Sequence, residues 1–229
     1  MSPVKSSRWV FLVATLAAWV ASAAPTLYPE EERSLDGLGR IGLQLGYRWT
    51  PNNDFYGKAG EAGYPLDFKS PGGGAATFGF GYGATSFVEG AVDIFINYEQ
   101  LHLKGTEAFN STSYGALFGA RFGKMDWPVH NLYPYLGFQA GPVLGIVNSN
   151  SYKNGERLTT GYLAVAGLAW RFNEKFALIF DVRYLLARSY VTGIGGVNVG
   201  GLMATIGFAT YFAGQSNKPP NSDLITPIE

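Results

Sequence analysis

Cysteine is missing from all 229 residues and histidine occurs only as His102 and His130. The first absence excludes a disulfide framework and thiolate metal sites. The second leaves no zinc-type ligand spacing, so we expect no metal and no cofactor. A surplus of one charge is missing too, since 17 Lys and Arg balance 17 Asp and Glu. A neutral chain gives nucleic acid no electrostatic hold, so none is expected as a partner. Long apolar runs are also lacking. The stretch Trp9 to Val20 falls short of the roughly 18 residues that a membrane-spanning helix needs. Phosphate loops are absent, because neither Gly72-Gly73-Gly74 nor Gly193-Ile194-Gly195-Gly196 joins a strand to a helix; both read as flexible loop segments.

What is present starts with a leader. Lys5 and Arg8 precede the apolar run, which ends in Ala21-Ser22-Ala23. That order of a basic end, a short apolar stretch and small residues is a secretory signal with its cleavage site. We expect residues 1–23 to be removed and the mature chain to start at Ala24. Its composition joins 31 glycines to 15% aromatics. Disordered glycine-rich chains are poor in aromatics, so a folded structure is expected.

The folded part alternates with period two. In Gly39 to Trp49, Ile41, Leu43, Leu45, Tyr47 and Trp49 share one face, and Arg40, Gly42, Gln44, Gly46 and Arg48 share the other. The same rule recurs around Phe78–Tyr82, Val88–Tyr98, Tyr114–Phe122, Leu136–Ile146, Tyr162–Phe172, Phe176–Tyr184 and Leu202–Phe212. Phe95, Leu163 and Val165 are bulky exceptions on the polar face. Strict alternation marks strands with two different surroundings, and eight segments of this length suit an antiparallel transmembrane β-barrel. The connections alternate as well. Pro51 to Gly74, Leu101 to Thr112, Val147 to Leu158 and Ala187 to Val199 are long, whereas Thr85-Ser86 and Asn173-Glu174-Lys175 are tight turns. Lys124 to Tyr133 is a ten-residue connection on the short side. Short turns lie on the periplasmic side of such barrels. The division expected is therefore a signal peptide at 1–23, a periplasmic N-terminal segment at 24–37, the barrel at 38–212 and a periplasmic tail at 213–229.

Side-chain size decides which face is inside. A barrel of eight strands has a bore only just wide enough for side chains to fill. The bulky apolar face must then meet lipid, and the glycine-bearing face must line the bore. Its aromatics fall near both strand ends, as in the girdles at the lipid–water boundaries. The bore would hold Arg40, Arg48, Arg121, Arg171 and Arg183 with Glu89, Asp93, Glu99 and Asp181. Isolated buried ions are very unfavourable, so these should pair and seal the lumen. If the third and fourth strands form a hairpin about their loop, Arg121 lies diagonal to both Glu89 and Asp93, within reach of a long side chain, and the bare face of Gly79, Gly81 and Gly83 leaves room for Arg48 to reach toward the acids of the third strand.

The stretches Pro134 to Gly141 (PYLGFQAG), Phe176 to Leu186 (FALIFDVRYLL) and Thr205 to Phe212 (TIGFATYF) resemble the small outer-membrane β-barrel superfamily of OmpA/OmpX type. The resemblance spans Leu38 to Phe212. It implies a Gram-negative outer membrane, contact with its lipid, and insertion by the barrel-assembly machinery, whose C-terminal signal Thr205 to Phe212 is similar to. It does not fix a role. The reading carried forward is a non-enzymatic barrel that anchors or displays, serving adhesion, motility or secretion through surface loops or periplasmic tails. Glu30-Glu31-Glu32 and Pro219-Pro220 lie in those tails. The alternatives are a narrow channel for small solutes and a lipid A-modifying enzyme. For the last, His102 has Glu99 and Ser111 not far away but lacks a His-x-Ser pairing, and no catalytic residue is assigned.

Overall fold

A computed structural model describes residues 35–49, 53–63, 72–101, 109–127, 129, 131–148, 156–191 and 193–213. The expected leader, residues 24–34 and 214–229 of the expected tails, His102 and His130 lie outside the described residues. Eight strands close on themselves. They are β1 (Leu38–Trp49), β2 (Gly73–Gly83), β3 (Val88–Leu101), β4 (Phe109–Gly123), β5 (Leu132–Asn148), β6 (Glu156–Arg171), β7 (Phe176–Leu186) and β10 (Gly201–Ala213). Each pairs antiparallel with its neighbour in sequence, and β10 closes the ring on β1 from Leu38↔Ala213 to Trp49↔Leu202. Closure removes every free edge, which a strand crossing lipid requires because nothing in hydrocarbon can satisfy its N–H and C=O groups.

The faces divide as the alternation requires. Along β1, Leu45 is 61% exposed and Gln44 5%; on β10, Phe208 is 65% exposed and Thr205 5%. Among the described residues no helix is long and apolar enough to cross a membrane. The exterior is a continuous band of Leu, Ile, Val and aromatic side chains, of a size that soluble proteins do not expose.

Glycines on the inward face let strands and charges pass closely. A Cβ at Gly79 would lie 2.8 Å from the Asp93 carboxylate, and one at Gly81 would run into that of Glu89.

The long connections differ from the expected loops. Asn53–Glu61 forms a helix, α1, inside the first connection. The fourth contains a hairpin of β8 (Arg188–Val191) and β9 (Gly195–Asn198), registered from Arg188↔Asn198 to Val191↔Gly195. The two glycine clusters are thus parts of ordered elements. Gly73 and Gly74 open β2, Gly193 takes φ +81° at the hairpin tip, and Gly195 and Gly196 lie in β9. The last barrel strand runs one residue past Phe212, to Ala213. On the turn side, β5 begins at Leu132. The connection before it is held by the Asn131 N–H, which donates to Asp126 Oδ1 at 2.7 Å, with both residues at positive φ.

Candidate functional site: the filled barrel interior

The bore is built in layers. On the loop side, α1 lowers Phe55, Tyr56 and Ala59 into the mouth, where all three are buried. They join Phe95, Leu117, Val143, Leu163 and Leu185 from the wall and Val191, Ile194, Val197 and Val199 from the hairpin segment in one apolar cluster. Phe55 meets Tyr56 edge-on at 5.3 Å between ring centroids and Phe109 at 5.8 Å. The bulky exceptions to the alternation are therefore core residues of this plug or of the one below.

Polar ties fix the plug to the wall. Ser189 Oγ donates to the Gly145 carbonyl at 2.9 Å and Ser113 Oγ to that of Val199 at 3.0 Å. The Asn198 side-chain oxygen accepts from the N–H groups of Ala187 and Gly200, both at 3.0 Å. Lys58 Nζ donates to the Gly196 carbonyl, joining α1 to the hairpin.

Beside the plug, Arg48 reaches Glu99 at 3.2 Å. Below it runs the main ionic layer. Arg183 meets Asp181 at 2.7 Å and Asp93 at 3.1 Å. Its Nη2 also donates to Gln44 Oε1 at 2.6 Å, and Gln44 Nε2 donates to Asp181 Oδ2 at 2.9 Å. Arg121 bridges Glu89 at 2.7 Å and Asp93 at 2.6 Å, and Arg40 holds Glu89 at 2.6 Å. Glu89 stands directly opposite Arg121 in the ladder, while Asp93 opposes Leu117 and is reached on the diagonal. The Tyr135 hydroxyl donates to Asp181, and its ring lies 5.1 Å below the Arg40 guanidinium.

Arg171 sits lower than the other arginines. Its contacts include the Met125 sulfur and the Glu174 carbonyl, each at 2.8 Å, and the Tyr211 ring at 4.8 Å. Leu35, Met125, Tyr133, Tyr135, Val165, Ile179 and Tyr211 form a second apolar cluster that closes the turn side.

Between Arg40, Gln44, Gly79, Arg121, Ile179 and Arg183 remains a void of about 10 Å³, the space of a single water. Chemically, each of these carboxylates faces at least one guanidinium. They are held as paired charges, not as free acids or bases. An ion pair taken out of water adds little net stability, but removing one partner strands the other.

Sequence reasoning placed the arginines and carboxylates on one face and missed both plugs. The adjacent Phe55 and Tyr56 in the first connection, and the valines 191, 197 and 199, were the available signals.

No protein-family model matches the chain, and no curated protein matches it. Solved structures do. The outer membrane protein OprG from Pseudomonas aeruginosa superposes with a TM-score of 0.52 at 13% identity, over 80% of this chain and 98% of that one. Neisserial surface protein A is similar at a TM-score of 0.44 and 14% identity, over 77% of this chain and 97% of that one. The attachment invasion locus protein Ail of Yersinia pestis gives 0.43 and 16%, over 77% and 99%. Likeness at such identities concerns the fold, which OprG shares with this closed ring. The chain is a closed eight-stranded antiparallel β-barrel with the fold of the outer membrane protein OprG, and its apolar exterior is that of a barrel that crosses lipid.

Proposed function

We propose that this barrel is a non-enzymatic, non-conducting anchor, which holds surface loops and periplasmic segments in place for a cell-envelope assembly. The observation that carries the reading is the filled bore. A solute entering from the loop side meets Phe55 and Tyr56, then the Arg183–Asp93–Arg121–Glu89 lattice, then Tyr133 and Tyr211. Opening a path through the middle means separating buried ion pairs, each rupture being unfavourable by several kcal/mol. A barrel so filled has its two ends left for contact with other molecules.

Planar-bilayer recording on the purified protein tests the first half of the proposal: we expect no steady conductance. A steady, large conductance would favour the narrow solute channel. Deleting Gln215 to Glu229 and comparing pull-downs tests the second half; loss of a specific envelope protein is the expected result. Release of an altered lipid A species that depends on His102, read by mass analysis with His102→Ala, would instead make the protein an enzyme.

A further inference from the structure

We infer that the outer wall of the barrel carries a site for a single acyl chain of the surrounding membrane, across β4, β5 and β6. The β4–β5 ladder runs from Asn110↔Asn148 to Gly115↔Val143, lapses opposite Pro142, and resumes at Phe118↔Ala140. Proline has no N–H to give the ladder, and within a sheet it marks a place where pairing is weakened. From that point a groove of about 500 Å³ follows the outside of the wall. Its floor is Ala140 and Ala164, its sides Phe118, Phe138, Tyr162 and Tyr184.

Register explains the shape. Phe118, Ala140 and Tyr162 stand side by side on adjacent strands, and Ala120, Phe138, Ala164 and Tyr184 form the next row toward the turns. Large and small residues therefore alternate in both directions, and the small ones connect diagonally from Ala140 to Ala164.

The groove is continuous with the apolar exterior that meets lipid, so an apolar occupant is already at hand. Its floor is one small side chain wide, which admits a methylene chain. The convex wall of a second barrel would enter such a groove only with single side chains and would not fill it along its length. In hydrocarbon there is no hydrophobic drive for docking. The preference comes from packing, since a chain that bridges over the groove forfeits its close contacts with the floor.

The test uses the whole barrel in phosphatidylethanolamine/phosphatidylglycerol vesicles doped with a phosphatidylethanolamine whose acyl chain carries a diazirine. After illumination, adducts are mapped by peptide mass analysis. We expect labelling at Phe138–Ala140 and Tyr162–Ala164 to exceed that at Leu43, Ile94 and Phe208 by about threefold or more, a ratio that small packing differences produce. In Ala140→Leu/Ala164→Leu, which fills the floor with apolar groups the lipid face tolerates, the excess should disappear while the barrel stays folded. Even labelling around the wild-type wall overturns the site. So does protein–protein crosslinking through the groove with lipid adducts missing, which would assign it to a second copy.

Discussion

Arg121 stands directly across the β3–β4 ladder from Glu89 and also grips Asp93, so that one guanidinium joins two buried carboxylates at 2.7 and 2.6 Å. The planar fork of arginine makes this possible, and a lysine ammonium would serve as a single point charge. Replacing Arg121 with Met leaves both acids with fewer cations in a bore that water barely enters. We expect Arg121→Met to lower stability by about 3–5 kcal/mol, read as the urea midpoint of the barrel in lipid vesicles. Arg121→Lys should recover part of the loss. Wild-type stability in Arg121→Met would mean that the lattice does not hold the barrel together.

The bare face of β2 is the second requirement of the lattice. Gly81→Val places side-chain atoms where the Glu89 carboxylate lies. The expected destabilisation is about 1–3 kcal/mol, as for overpacking a filled core. Gly74 has nothing within 4 Å of an added Cβ, so Gly74→Ala serves as the neutral comparison in the same unfolding experiment.

The loop-side plug should come loose without the barrel. Helix α1 has nine residues, among them Gly57 and Gly60, and so short a helix is held by packing more than by its own propensity. Phe55→Ala with Tyr56→Ala removes that packing. Amide exchange should then rise across α1 and β8–β9 while the barrel strands keep their protection. Unchanged exchange in α1 would show that the two rings do not hold it.

The alternation from Gly39 to Trp49 was enough to read β1, its two faces and its length, because in a barrel every inward residue is followed by an outward one. The Arg121 partners followed from assuming a β3–β4 hairpin, although Glu89 stands directly opposite Arg121 and not on the expected diagonal, because the exact register depends on the loop between the strands. Phe95, Leu163 and Val165 resisted this reading. Period two tells inside from outside, but not whether the inside at a given depth is ionic or apolar. That depends on which loops fold back into the mouth. A helix as short as Asn53–Glu61 leaves little periodic signal, and the glycines around Ile194 resemble those of an irregular loop although they form a hairpin tip.

A charge on the lipid face should be costly where the same charge in the bore is native. Phe208 pairs with Leu43 and Leu178 in the wall. Phe208→Arg or Leu178→Arg should lower stability by about 2–4 kcal/mol near the midplane, measured by urea titration in vesicles. Harmless substitutions would place that face away from lipid.

Because the chain has no cysteine, single cysteines at Leu43, Phe80, Leu178 and Phe208 can each carry a nitroxide in lipid vesicles. Collision with dissolved oxygen, which concentrates in hydrocarbon, is then compared with collision with a water-soluble nickel chelate. We expect oxygen to dominate at all four positions, as it must if the bulky side of every strand lies against acyl chains. Dominance of the nickel chelate would mean that water covers that side, and the barrel would not be a membrane protein.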